Sequence, residues 1–145
     1  MKKSIRLGLA AAAINYRLVP GTAVEDEAAD VAASLKYLID HAAALGIDSS
    51  RIVLMGHSAG AHLVALVGTD ERYLKAADLS FASISGVIPV DGAAYDVPRQ
   101  IADGGNFRHD TYLQAFGEDP ARQRASGRLG RDRRAVFEGR WPQLC

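Results

Sequence analysis

The chain has 145 residues, of which 48% are apolar and 23% are charged, and these values are typical of one soluble globular domain. Seventeen Lys and Arg balance seventeen Asp and Glu, so the formal charge of zero gives no reason to expect a nucleic-acid or acidic partner. The single cysteine excludes an internal disulfide and a cysteine metal site, and no apolar run is long enough to span a membrane. We therefore expect a cytoplasmic protein without a metal or another cofactor.

The N-terminus has the outline of a signal peptide, with basic residues at positions 2, 3 and 6 and a short apolar run that reaches Ile14. Arg6 interrupts the apolar run, however, and a family resemblance described below implies a buried strand over residues 10–18. We expect this strand to be followed by a turn at residues 20–21, and we expect no signal peptide.

Apolar residues recur at helical spacing from Val24 to Leu45, which predicts a helix that Gly46 ends. Thr22 and Glu25 have the spacing of a capping box at the start of this helix. His41 lies near the C-terminal end, where a cation is common, and we interpret it as a structural residue.

A short β-branched apolar run at residues 52–55 leads into Gly-His-Ser-Ala-Gly at residues 56–60. An apolar, Ala-rich pattern of helical type follows directly. Strand, sharp turn and helix in this order form the context in which Gly-x-Ser-x-Gly presents a nucleophilic serine. The sequence therefore predicts a nucleophile elbow.

Ser58 must occupy a strained turn that lifts its hydroxyl off the end of the sheet. Gly56 and Gly60 have no Cβ, so the strand and the helix can approach closely around the turn. The backbone N–H of Ala59 would face the oxyanion formed when Ser58 attacks a carbonyl group. His57 belongs to the same turn, which sends neighbouring side chains apart.

The remaining elements continue an alternation of strands and helices. Asp70 is predicted to cap a short helix over residues 71–77, and residues 84–90 are predicted to form a buried strand. Residues 99–102 and 110–116 are predicted to be helical. The alternation predicts an α/β fold, in which helices cover both faces of a parallel sheet.

Residues 56–63, Gly-His-Ser-Ala-Gly-Ala-His-Leu, closely resemble the elbow of α/β-hydrolases of the esterase/lipase type. The nearest group contains carboxylesterases, hormone-sensitive-lipase-like enzymes and kynurenine-formamidase-like enzymes. Residues 14–20, Ile-Asn-Tyr-Arg-Leu-Val-Pro, resemble the end of an earlier strand in that group, and residues 50–54 resemble the segment leading into the elbow. The resemblance runs from about residue 10 to about residue 125 and implies an incomplete α/β-hydrolase fold.

The resemblance also implies a triad in the chain order Ser, acid, His. Downstream of Ser58 the chain contains only two histidines, His62 and His109. His62 lies one turn into the elbow helix and His109 lies in a polar, helical stretch, so we assign neither as the base and leave the acid unassigned. The nearby carboxylates are interpreted as loop and cap residues: Asp91, Asp96 and Asp119.

In the family, a His-Gly-Gly-type loop upstream of the segment matching residues 14–20 supplies a second oxyanion donor. No such loop precedes Ile14. The strand that carries the loop lies between the strands matching residues 10–18 and 52–55, so the resemblance implies a gap between them. Either these two strands pair directly, or each keeps an edge with unpaired backbone groups.

The charge is distributed unevenly. Residues 1–120 contain 10 Lys and Arg against 15 Asp and Glu, whereas residues 121–145 contain 7 Arg and 2 acids. We predict a partial α/β-hydrolase domain over residues 1–125 and an irregular Arg-rich tail over residues 126–145. The tail is either a solvated basic segment suited to an anionic surface or the product of a shifted reading frame after about residue 125.

Two functions follow as alternatives. In the first, the chain is a serine hydrolase of the carboxylesterase type, acting on small carboxylic esters or amides through an acyl-enzyme on Ser58. In the second, it is a non-catalytic truncated or frame-shifted fragment without the triad acid and histidine, which associates with itself through open sheet edges. A Rossmann-type nucleotide domain is disfavoured because no Gly-x-Gly-x-x-Gly follows a strand.

Overall fold

The computed structural model describes residues 2–4, 8–92, 96–103, 105–121 and 123. The predicted tail over residues 126–145 lies outside these ranges, so its two interpretations remain predictions. Within them the elements are β1 (Lys2–Ser4), β2 (Leu9–Ala11), α1 (Val24–Asp40), α2 (Ala42–Leu45), β3 (Val53–His57), α3 (Ala59–Thr69), α4 (Glu71–Ala76), β4 (Gly86–Val90), α5 (Val97–Asp103) and α6 (Gly105–Phe116).

The centre of the fold is a parallel pair of strands connected through helices. β3 pairs with β4 in a register that runs from Val53 opposite Gly86 to His57 opposite Val90. α3 leaves β3 directly and packs on both strands, and α1 packs on α3 and α4. Helices around a small parallel sheet are the architecture of an α/β protein, as the alternation in the sequence predicted.

The strand predicted over residues 10–18 is mostly wrong. Only Leu9–Ala11 forms a strand, and it pairs antiparallel with β1, whereas residues 12–18 have no regular structure. The segment is fastened to α1 instead, because the N–H and the guanidinium of Arg17 bind the carboxylate of Asp30 at 3.0 and 2.9 Å. A strand needs a neighbour, and the described residues offer none beside this segment.

The gap implied by the family resemblance is present. A cavity of about 580 Å³ separates residues 8–14 from β3, and its floor contains apolar residues of α1 and α3, among them Leu35 and Val64. Within the described ranges β2 pairs only with β1 and β3 pairs only with β4. Direct pairing of the two strands is therefore absent from the described residues, and β3 has no described neighbour on the side of the cavity.

The predicted helix over residues 24–45 is present, but its cap is shifted by one residue. Ala23 is the N-cap, and the carboxylate of Asp26, in place of Glu25, accepts hydrogen bonds from the Ala23 N–H at 3.3 Å and the Thr22 hydroxyl at 2.9 Å. The helix is interrupted at His41, whose Nδ1 lies 2.8 Å from the Tyr37 carbonyl oxygen, in keeping with a structural role. Gly46 ends α2 with a φ of 64°, as expected of a glycine that terminates a helix.

Glu27 is a carboxylate in the apolar core, with 6% of its surface exposed. Its Oε1 accepts a hydrogen bond from the Val19 N–H at 2.9 Å, which connects the segment before α1 to the helix. Burial raises the pKa of Glu27, the hydrogen bond from Val19 opposes this shift, and the charge of Asp30 adds to it. The native state therefore holds the Glu27 proton more tightly than the unfolded chain does.

The raised pKa of Glu27 predicts that Glu27→Gln increases the stability of the folded protein by an amount that depends on pH. Because the native pKa is raised, the Glu27 contribution is most favourable below the unfolded pKa and is lost as the pH rises through the native pKa. Glutamine keeps an acceptor for Val19 without a buried charge, so we expect the variant to be more stable than the parent at pH 8 by about 1 kcal/mol. Urea unfolding at pH 4 and pH 8 measures this; the advantage should shrink at pH 4. Glu118→Gln, at an exposed carboxylate, is the control. It should leave the free energy of unfolding unchanged at both pH values.

Helices cover only one face of β3–β4 in the described part of the chain, so the prediction of helices on both faces is wrong for these residues. Leu54, Gly56 and Val87 lie on the side of α3, where the core contains Leu63, Leu66 and Val67. Val53, Met55, Ile88 and Val90 alternate with them and are exposed. The apolar sequences of both strands are typical of a sheet buried on two sides, and the described residues supply one covering layer.

Candidate functional site

Ser58 lies at the sharp turn between β3 and α3. Its φ and ψ are 53° and −114°, a left-handed conformation that residues with a Cβ rarely adopt. Its N–H donates to the Val90 carbonyl at 3.0 Å, and its carbonyl accepts from the N–H groups of Ala61 and His62 at 3.0 and 3.2 Å. These bonds hold the strained turn from both sides, and Ser58 itself is exposed at the carboxyl end of the sheet.

The first turn of α3 directs backbone N–H groups toward the same end of the sheet. No described backbone carbonyl accepts a hydrogen bond from the N–H of Ala59 or of Gly60. Such groups give a helix N-terminus its partial positive charge. The position beside Ser58 can therefore stabilise an anionic oxygen.

The two glycines of the motif have different roles. A Cβ on Gly56 would overlap the carbonyl group of Gly60 and lie 2.9 Å from the Ala61 nitrogen, so only glycine fits where β3 passes the start of α3. A Cβ on Gly60 would meet nothing within 4 Å. The expectation that both positions need glycine for close approach is thus correct for Gly56 and wrong for Gly60, which contributes its backbone to the contact.

Gly68 makes a second close approach that the sequence did not reveal. A Cβ at this position would lie 2.6 Å from Cγ2 of Val87, so α3 packs tightly on β4 near its C-terminal end. The contact joins residues far apart in sequence, and a lone glycine inside a helical pattern is the only signal the sequence offers for it. A larger side chain at position 68 would push the C-terminal end of α3 away from β4.

His57 and Asp91 lie close together beside Ser58, which sequence reasoning missed. His57 Nε2 is 3.7 Å from Asp91 Oδ2, and their side chains are 70% and 86% exposed. The register of the parallel strands brings them together, because His57 pairs with Val90 and Asp91 follows immediately. A distance of 3.7 Å is too long for a hydrogen bond, and two side chains this exposed interact weakly whatever the charge of the imidazole.

Of the two histidines downstream of Ser58, the structure describes the side chain of His62 only, and it is turned into the core. His62 is buried in α3 with its ring edge against Phe116, the ring centres being 5.2 Å apart. His109 lies on α6, as predicted, and its side chain is outside the described part of the chain. No imidazole among the described side chains is within hydrogen-bonding distance of the Ser58 hydroxyl, so these residues identify no base.

The other acidic candidates act as caps. Asp96 accepts a hydrogen bond from the Arg99 N–H at 3.3 Å at the start of α5, and Asp119 accepts one from the Ala121 N–H at 2.8 Å. Both agree with the interpretation as loop and cap residues. The described ranges contain no cluster of three or more potential metal ligands and no helix with the length and apolarity needed to cross a bilayer.

Comparison with known proteins places this geometry in context. The family model described as BD-FAE, which represents an α/β-hydrolase-type esterase family, matches residues 1–91, a range that includes β3, Ser58 and β4. A probable isoprenylcysteine alpha-carbonyl methylesterase of Arabidopsis thaliana is 41% identical over 54 residues, which are 37% of this chain and 11% of that protein. The match thus covers about a ninth of this curated relative. No solved structure matches the chain significantly.

Proposed function

We propose, since the chain belongs to the BD-FAE family of α/β-hydrolase-type esterases, that it is a serine hydrolase of the carboxylesterase type with Ser58 as nucleophile. The observation that carries the proposal is the backbone of Ser58, an exposed residue held at a φ of 53° between a parallel strand and a helix N-terminus. Such strain is characteristic of residues at functional sites. In this proposal residues 1–125 form part of an α/β-hydrolase domain.

The reaction follows from the positions of Ser58 and Ala59. The Ser58 oxygen attacks the carbonyl carbon of an ester, and the resulting oxyanion accepts a hydrogen bond from the Ala59 N–H. Collapse of the intermediate breaks the ester C–O bond; the alcohol leaves with the proton that the Ser58 hydroxyl gave up, and the acyl group stays on Ser58. Water then hydrolyses the acyl-serine to the carboxylic acid and restores the hydroxyl. Elbow residues Gly56, His57 and Gly60 hold the turn in this proposal.

The proposed substrates are small carboxylic esters, with amides as the second choice. The relative in Arabidopsis is named as a methylesterase, which favours an ester bond. Two cavities lie beside α1 and β3, and Ser58 does not belong to the lining of either, so they do not indicate which acyl group would bind. The identity of the acyl and alcohol groups is therefore left open by the proposal.

The second candidate function is a non-catalytic member of the same lineage. It is favoured by one observation, that no described imidazole reaches the Ser58 hydroxyl. Without a general base the serine is a weak nucleophile, and removing one member of a catalytic triad lowers the rate by several orders of magnitude.

Covalent labelling distinguishes the two candidates. We expect an organophosphate with a good leaving group to add one phosphoryl group to the chain, with the adduct located at Ser58 by peptide mass spectrometry. Ser58→Ala should not react, and heat-unfolded protein should lose the reaction as well, because it depends on the folded turn. A chain that stays unlabelled, or that is labelled equally after substitution, would favour the non-catalytic alternative.

A further inference from the structure

The exposed apolar surface of this protein is concentrated in one region. Among the described side chains, nine large apolar ones are exposed, and six of these belong to a single side of the sheet and the wall beside it: Leu9, Ile14, Val53, Met55, Ile88 and Val90. We use the term open face for the side of β3–β4 that points away from α3, which carries Val53, Met55, His57, Ile88 and Val90. Met55 at its centre is 67% exposed, and Leu9 and Ile14 continue the surface across the cavity beside β3. An apolar surface concentrated in this way is characteristic of a surface that binds a protein, a membrane or a ligand.

We propose that the open face is the interface of a two-fold symmetric homodimer, in which the β3–β4 sheets of two copies pack face to face with their strands antiparallel. Association was first expected through the sheet edges. The β3 edge, however, faces the cavity and residues 8–14 of the same chain, whereas the open face has no described neighbour. Packing through faces places two sheets about 10 Å apart and buries the alternating side chains of both.

A second copy suits this surface because the surface does not repel itself. The open face is apolar along most of its length, with Val53, Met55, Ile88 and Val90, and its ionisable side chain, His57, lies at the carboxyl end of β3. The whole chain has a formal charge of zero, so long-range repulsion does not oppose self-association. In a two-fold interface the same patch is used twice, and Met55 of each copy packs near the centre.

The charges at the two ends of the face select the antiparallel orientation. Arg51, exposed, precedes β3 at one end, and Asp91, whose side chain is 86% exposed, follows β4 at the other. With antiparallel strands, Arg51 lies near Asp91 of the partner subunit, and the contact occurs twice. With parallel strands, like charges would meet at both ends.

The first test is the mass of the intact chain in solution, measured by analytical ultracentrifugation across a range of concentrations. We expect a monomer–dimer equilibrium that Met55→Lys and Ile88→Lys each weaken at least about tenfold. Phe81→Lys, at an exposed apolar side chain outside the open face, is the matched control and should leave the equilibrium unchanged. Circular dichroism verifies that each variant is folded; Met55 and Ile88 are exposed in the monomer, so neither change affects the core.

The second test exchanges the charges at positions 51 and 91, and the pattern of affinities expected below is specific to the antiparallel dimer. Arg51→Asp alone and Asp91→Arg alone should each weaken the dimer, because each creates two like-charge contacts. The double variant should recover most of the affinity, because attraction is restored with the signs reversed. A chain that is monomeric at every concentration, a dimer that resists Met55→Lys, or a double variant weaker than both single variants would overturn the proposal. Because these experiments measure mass, their outcome is independent of whether Ser58 is a nucleophile.

Discussion

Gly56→Ala is expected to destabilise the protein by about 3 kcal/mol or more, whereas Gly60→Ala should leave it folded and equally or slightly more stable. A methyl group at position 56 would overlap the backbone of Gly60, and backbone inside a helix cannot move aside as a side chain can. The same methyl group at position 60 meets open space in the first turn of α3, where alanine is the better helix former. A loss of 3 kcal/mol is a large part of the 5–15 kcal/mol that typically holds a domain together.

Urea unfolding followed by circular dichroism measures both variants under the same conditions. Gly8→Ala is unsuitable as a control, since Gly8 has a φ of 65° and would add strain of its own. Gly60→Ala therefore serves as the control within the motif. Equal losses for the two variants would contradict the assignment of the close approach to Gly56.

The contrast between these glycines shows what the motif in the sequence predicts and what it does not. The order of strand, turn and helix at residues 52–67 was predicted, because local composition and periodicity determine each element. Which of the two glycines has no space for a Cβ depends on how β3 crosses α3. That crossing is set by the packing between elements and cannot be deduced from the motif. The approach of Gly68 to Val87 and the proximity of His57 to Asp91 are of the same kind, and both depend on the pairing of β3 with β4.

The segment at residues 10–18 shows a second limit. Its apolar residues and its likeness to a family strand predicted a buried strand, yet only Leu9–Ala11 forms one. A composition typical of strands shows that the residues suit a pleated, half-buried surface. It does not show that a neighbouring strand is present to pair with them. With a cavity where that neighbour would lie, Arg17 and Val19 bind the side chains of α1 instead. Helices such as α1 form their backbone hydrogen bonds within one segment and need no neighbouring strand, so they were predicted more accurately.

Substitutions at Ser58 are expected to separate its chemistry from its strain. Ser58→Ala and Ser58→Gly should both reduce the hydrolysis of a short-chain activated ester to the rate in buffer, because both remove the proposed nucleophile. Only Ser58→Gly should also stabilise the fold, by about 1–2 kcal/mol, because glycine adopts a φ of 53° without steric cost. Alanine keeps the Cβ and therefore the strain. Initial rates and urea unfolding on the same three proteins provide both measurements.

The two readouts lead to separate conclusions. Hydrolysis that persists in Ser58→Ala would mean that another group reacts with the ester, and the non-catalytic alternative would then be preferred for the elbow. A glycine variant no more stable than the alanine variant would mean that the hydrogen bonds between Ser58, Val90 and Ala61 hold the turn without strain. If both expectations are met, the chain maintains an unfavourable backbone conformation at the one serine whose hydroxyl the reaction needs. The strain at position 58 lowers stability without a structural benefit. It would therefore indicate that this backbone conformation is maintained because the reaction requires it.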